Sequence, residues 1–311
     1  MYDTINFRLL QSEAGGVDFF SKTACYLENI GEHNYDGVIV LTGSLKGLKV
    51  SLNKNQIKVK DGSLCKWYLG DNYQTMGRRD TQRAIEKLSD TLHVPMSKAT
   101  VTRLDIAQNF IIRYPPEVYL SHLGALRYAT RLQEPNGVYY NHTGGRLCFY
   151  DKNQEQKHHK EPIPELYEGR NVLRYEQRYT NRVARQLKAD KVTGALLYDE
   201  AFYVGILNRW GDAYKDIQKI NDVSLNFKVV NSKQQLYKMG VLCLVELLGG
   251  QYQFIENVSE GYKRGELSKK QAFDLRDTIN KACEIKGGFT VPNEAIQELD
   301  KKVIEAVKFY R

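Results

Sequence analysis

Three short segments place ionisable side chains at spacings that could do phosphoryl chemistry. They are Thr102-Arg103-Leu104-Asp105, Leu147-Cys148-Phe149-Tyr150-Asp151-Lys152 and Leu173-Arg174-Tyr175-Glu176-Gln177-Arg178. Side chains of a strand alternate between faces. Read as strands, the first puts Arg103, Asp105 and Ala107 opposite Leu104 and Ile106. The second puts Cys148, Tyr150 and Lys152 opposite Leu147 and Phe149. The third puts Arg174, Glu176 and Arg178 opposite Leu173 and Tyr175. If the apolar sides meet a helix layer, the other sides bring carboxylates, a phenol and several cations together. Carboxylates on neighbouring strands suit a hard divalent cation, Mg²⁺ or Mn²⁺. Such an ion polarises a phosphodiester, a tyrosine can attack phosphorus, and Lys152 could lower the phenol pKa or hold the phosphate. The same pattern also describes a solvated sheet face with cross-strand ion pairs. With 21 tyrosines in the chain, one Tyr says little by itself.

The elements that must position these residues follow from the periodicity. Val38–Leu41, Leu48–Leu52 and Gln56–Lys60 alternate between turn residues, and Leu64–Leu69 extends the series, so antiparallel strands are expected. Ala84, Leu88 and Leu92 mark a helix that Asp80 can cap and that ends near Val94-Pro95. Strand 100–107 follows, then a helix from Pro115-Pro116 reaching Ala129. Next come a hairpin (137–141 and 146–151), a polar loop over 153–170, strand 171–179, and a basic helix from about Asn181. Residues 1–35 show no clear pattern. Beyond about Leu225 the spacing is helical, over 232–248, 268–285 and 293–309. The expected fold is α+β: a mainly antiparallel sheet with helices on one face, then a helical C-terminal region. The expected division is a catalytic domain over 1–220 and a helical accessory region over 221–311.

Composition narrows the class. The chain has 311 residues, 42% of them hydrophobic, and a net charge of +8, which suits a polyanionic partner such as nucleic acid. Five dispersed cysteines without Cys-x-x-Cys spacing argue against a disulfide framework or a zinc site. No secretory leader and no run of roughly 18 apolar residues is visible, so a cytoplasmic protein without membrane association is expected. Arg182, Arg185 and Lys188 would form one basic stripe on a helix, for phosphates or simply for solvent. Tyr139 and Tyr140 would stack on unpaired bases or pack within the hairpin.

The three segments, in this order and approximate spacing, resemble the replication initiators of filamentous phages (the gene II/X family) and, more distantly, plasmid rolling-circle initiators of the Rep_trans type. The resemblance runs from about residue 60 to 215. Thr102-Arg103-Leu104-Asp105 is similar to that family's Ser/Thr-Arg-Ile-Asp strand. Leu147 to Glu155 is similar to its apolar-Tyr-x-Lys strand, and Val172 to Arg178 to its Leu-Arg-aromatic-Glu-x-Arg strand. The resemblance implies an HUH/RRM-like nuclease core and a site-specific nickase for rolling-circle replication. It would form a 5′-phosphotyrosyl link, leave a free 3′-OH, and later rejoin the strand. Tyr150 would be the nucleophile, with Lys152 beside it, and Asp105 and Glu176 metal ligands with Glu155 as a third acid. Arg103, Arg174, Arg178, Arg182, Arg185 and Lys188 would contact DNA. The partner is origin DNA, single-stranded or hairpin at the nick and duplex nearby; a host helicase and a homodimeric assembly are candidates. Asp71 stands where some phage relatives have histidine, and no His-hydrophobic-His motif is present. A mobilisation relaxase with the same chemistry and a non-enzymatic nucleic-acid binder are the alternatives.

Overall fold

The computed structural model of the chain describes every residue except 224, 226, 229 and 285–289. Ten strands form one sheet: β1 Tyr2–Leu10, β2 Glu28–Tyr35, β3 Val38–Leu45, β4 Leu48–Leu52, β5 Gln56–Lys60, β6 Thr100–Ile112, β7 Thr130–Glu134, β8 Gly137–His142, β9 Gly145–Asp151 and β10 Asn171–Tyr179. Their order is β2-β3-β4-β5-β1-β6-β10-β9-β8-β7, and every pairing is antiparallel. The helices are α1 Phe19–Thr23, α2 Leu64–Leu69, α3 Arg78–Leu92, α4 Pro116–Ser121, α5 Lys152–His158, α6 Val183–Gln186, α7 Glu200–Lys215, α8 Lys233–Leu247, α9 Gln251–Lys263, α10 Lys269–Cys283 and α11 Glu294–Tyr310. The expected α+β class with a large antiparallel sheet and a helical C-terminal region holds.

The apolar alternation seen in the three chemical segments builds the core. Leu104, Ile106 and Phe110 of β6, Leu147 and Phe149 of β9, and Leu173 and Tyr175 of β10 are buried against α3, α4, α7 and α11. Phe149 and Tyr175 stack with ring centroids 4.4 Å apart, and Tyr175 stacks on Trp210 of α7 at 4.5 Å. The Tyr175 hydroxyl donates to the Trp210 carbonyl at 2.9 Å, so its buried polar end is satisfied. Burying one such ring contributes about 1.5–3 kcal/mol. This stack fixes β9 and β10 from below, which sets the register of the opposite face.

Several expectations need correction. Residues 1–35 contain β1, which lies between β5 and β6 near the middle of the sheet. Leu64–Leu69 is helix, because the Ser63 hydroxyl accepts from the Lys66 N–H and starts a turn. The helix from Pro116 stops at Ser121. Beyond it Gly124 passes so close to the Gln218 and Gly249 carbonyls that a Cβ would lie 2.9 Å from each, and the chain turns into β7. Within the expected loop 153–170, α5 forms because Asp151 caps it. The basic helix after Asn181 is a single short turn, α6, since Arg182 and Lys188 adopt left-handed backbone with φ of 48° and 56°.

In the C-terminal part, α8, α9 and α10 surround a small core of Val245, Val258, Ala272 and Ile279. The expected helix over 268–285 is α10; residue 285 lies outside the described residues. Helix α11 returns to the sheet, and its Ile296, Leu299 and Val303 join the main core beside α7. No helix among the described residues is long and apolar enough to cross a membrane.

Candidate active site

Strand register lays the chemical residues out in rows. Asn141, Arg146, Arg178 and Asp105 are successive cross-strand partners on β8, β9, β10 and β6. Tyr139, Cys148, Glu176 and Ala107 form the next row, and Gly137, Tyr150, Arg174 and Asn109 the third. The face expected from alternation therefore exists, and it joins Asp105, Tyr150, Glu176, Arg103 and Arg178.

At its centre the Tyr150 hydroxyl donates to Glu176 Oε2 at 3.3 Å. The Arg178 guanidinium donates to the same oxygen at 2.9 Å, and Arg174 Nε lies 3.8 Å from it. Burial works to raise the Glu176 pKa, but Arg174 and Arg178 outweigh it and hold the group below its ordinary value, as a carboxylate. Burial pushes the Tyr150 phenol well above its ordinary pKa, with Arg174 and Arg178 pulling the other way. The phenol is thus neutral at physiological pH. Both oxygens of buried Asp105 accept from Arg103, at 3.0 Å to Nε and 2.6 Å to Nη2. Burial, with Glu176 nearby, raises the Asp105 carboxyl to about 7 against the pull of Arg103.

Other expected residues sit differently. Lys152 is not a strand residue: β9 ends at Asp151 and Lys152 opens α5, with Arg174, Glu155 and Asp3 as its charged neighbours. Its buried ammonium donates to Glu155 Oε2 at 2.7 Å and lies 5.4 Å from the Tyr73 ring centroid. The cations that bear on the Tyr150 phenol are Arg174 and Arg178 instead. Glu155, held by Lys152 on α5, bears on the Tyr150 phenol but does not gather with Asp105 and Glu176 into a three-acid metal site among the described residues. Arg174 does not face DNA: it is 2% exposed and bonds Asp3, the Asn72 carbonyl and Asn109. Arg182 and Arg185 line a separate notch with Thr143 and Gly144, away from Tyr150 along the sheet, and Lys188 lies outside any helix. Asp3, Asn72 and Asn109 were not visible as site residues. The alternation of Ile5, Phe7 and Leu9 against Asn6 and Arg8 was a signal for β1, and hence for Asp3.

A cleft of about 420 Å³ opens beside Tyr150, walled by α5 and β8. Strand register puts Arg146 and Arg178 at one end of it and Glu134 and Asp151 at the other; Glu155 of α5 and Tyr139, which has Glu134 as a charged neighbour, also line it. His158 and His159 belong to its rim, with His159 Nε2 3.6 Å from Glu155 Oε1. No group of three or more His, Cys, Asp or Glu among the described residues could hold a metal ion. Asp105 and Glu176 remain as a pair. Mg²⁺ or Mn²⁺ commonly uses one or two carboxylates together with substrate phosphate and water, so the pair fits such an ion in number and chemistry. Arg103 and Arg178, which pair with these two acids, are part-exposed.

No curated protein matches the chain. Residues 1–202, which include all three chemical segments, match the family model described as the N-terminal region of the phage replication-associated gene II protein, and the chain belongs to that family of filamentous-phage replication initiators.

Proposed function

We propose that the chain initiates rolling-circle replication by nicking one origin strand with Tyr150. The observation that carries this reading is the Tyr150 hydroxyl on Glu176, a carboxylate balanced by Arg174 and Arg178 beside an open cleft. The Tyr150 oxygen attacks the scissile phosphorus as its proton passes to Glu176, so no free phenolate is needed. The P–O3′ bond breaks, and the 3′-oxygen leaves and gains a proton. The products are a 3′-OH primer and a 5′-phosphotyrosyl link. Reversal with a new 3′-OH rejoins the strand.

Arg178 and Arg103 stabilise charge developing on the phosphoryl oxygens. Asp105 and Glu176 would hold a divalent ion, which supplies Lewis-acid polarisation of the phosphate. Origin DNA is the substrate. Membership of a phage replication-associated family favours replication over mobilisation, although a relaxase would use the same chemistry.

The test incubates the protein with supercoiled DNA carrying the origin of its own replicon and Mg²⁺ or Mn²⁺. A nicked circle joined covalently to protein is expected. Tyr150→Phe should bind the same DNA and form no adduct. An adduct of undiminished yield in Tyr150→Phe removes Tyr150 from the chemistry, and stable binding without any nick by wild-type protein supports a non-enzymatic binder.

A further inference from the structure

Of the two adjacent hairpin tyrosines, only one packs. Tyr140 is fully buried, and its hydroxyl donates to the Gly124 carbonyl at 2.7 Å. Tyr139 points to the other face and lines the cleft beside Tyr150. Its ring lies down over Gly137: a Cβ there would sit 2.9 Å from the Tyr139 hydroxyl and 3.1 Å from a ring carbon. Gly137 is the direct cross-strand neighbour of Tyr150, so the missing side chain lets the Tyr139 ring lie alongside the nucleophile's row. The Arg146 guanidinium stands over the Tyr139 ring, 5.5 Å from its centroid, and the Asn141 side chain, which accepts from Arg146 Nε, orients it. Among the described residues the Tyr139 hydroxyl makes no hydrogen bond, and the ring is half-buried, although nothing of the hydrophobic core needs it.

We infer that Tyr139 and Arg146 form a stacking clamp for the unpaired base next to the scissile phosphate. The inference rests on the nicking function proposed for this cleft. The guanidinium over the ring gives way to a base and then lies against it, and such a pair takes any base, because stacking needs no particular hydrogen-bonding edge. Charge orients the nucleotide. Arg146 and Arg178 lie at the end that would take the phosphates, whereas Glu134 and Asp151 repel them from the other end. The base then lies over Tyr139 while its phosphate faces Tyr150 and Arg178. Tyr139 is a positioning residue: it holds the strand and touches no reacting atom.

The test is a fluorescence titration with a short oligothymidine carrying one central 2-aminopurine, a probe whose emission falls on stacking. It reads binding without cleavage, so it stands or falls separately from the role of Tyr150. Wild-type protein should quench the probe. Tyr139→Ala should lose the quench and bind about 5- to 150-fold more weakly, the range of one base–aromatic stack. Tyr139→Leu, which keeps apolar bulk, should behave like Tyr139→Ala, and Tyr139→Phe like wild type. In cleavage assays the loss should fall on KM with kcat nearly unchanged. Unchanged quenching in both Tyr139→Ala and Tyr139→Leu overturns the clamp. So does a Tyr139→Phe defect as large as that of Tyr139→Ala, since the hydroxyl would then be the working group.

Discussion

The Tyr150 hydroxyl and Glu176 Oε2 lie 3.3 Å apart on adjacent strands, with Glu176 two residues along β10 from Arg174, the direct partner of Tyr150. This diagonal contact gives a neutral phenol an anionic acceptor, and two arginines keep that acceptor charged. Glu176→Gln retains the shape and a carbonyl for the phenol but removes the proton acceptor. Covalent adduct formation should fall by about 10²–10⁴-fold, the usual contribution of one general base. Arg174 and Arg178 would also be left under-neutralised, at a cost of about 3–5 kcal/mol of stability. Single-turnover cleavage measured below the unfolding transition separates the two effects; full-rate cleavage would take Glu176 out of the chemistry.

The arginines of this face divide into buried and reachable ones, and salt dependence should tell them apart. Arg174 is locked among Asp3, Asn72 and Asn109. Arg174→Met should destabilise the fold by about 3–5 kcal/mol, because Asp3 and Glu176 lose their buried counter-charge. It should leave the slope of log K against log salt unaltered. Arg182→Ala and Arg185→Ala lie at the surface notch and should each reduce that slope by about one if they contact phosphate. An unchanged slope in both would confine DNA to the cleft.

Chelation provides a separate check on the acids. Cleavage should stop in EDTA and return with Mg²⁺ or Mn²⁺. Asp105→Asn should need much more metal or fail altogether. Glu155→Gln should keep the wild-type metal dependence, since Lys152 already neutralises Glu155 and no three-acid group forms around the Asp105–Glu176 pair among the described residues. If Asp105→Asn cleaves at an unchanged metal concentration, Asp105 is an ion-pair partner of Arg103 alone.

The sequence carried the sheet face well, because period-two alternation is local and the core enforces it. Leu104, Leu147, Phe149, Leu173 and Tyr175 all lie where alternation puts them, and so Asp105, Tyr150 and Glu176 share the other side. It carried the depth of each residue badly. Arg174 and Arg178 have the same periodicity, yet one lies under the face and the other at its surface. The difference comes from Asp3, which β1 brings from the far end of the chain. Lys152 shows the other failure. Alternation predicts it as a strand residue in line with Tyr150, but a cap one residue earlier converts the chain to helix.

That cap offers the last prediction. Asp151 ends β9, and its Oδ1 accepts from the Asn153 and Gln154 N–H groups at 2.9 and 3.0 Å. Two of the unpaired donors at the start of α5 are thereby satisfied. Helix α5 carries Gln154, Glu155 and His158, which wall the cleft. At seven residues it is too short to hold by propensity alone. Asp151→Ala should therefore cost about 0.5–2 kcal/mol, with the loss concentrated in α5 rather than in the sheet. Hydrogen exchange should quicken across 152–158 and stay slow in β9 and β10. Asp151→Ser or Asp151→Asn should restore protection, because either side chain can accept the same bonds. Loss of protection in Asp151→Asn equal to that in Asp151→Ala would mean that the carboxylate charge, and not the cap, holds the wall of the cleft.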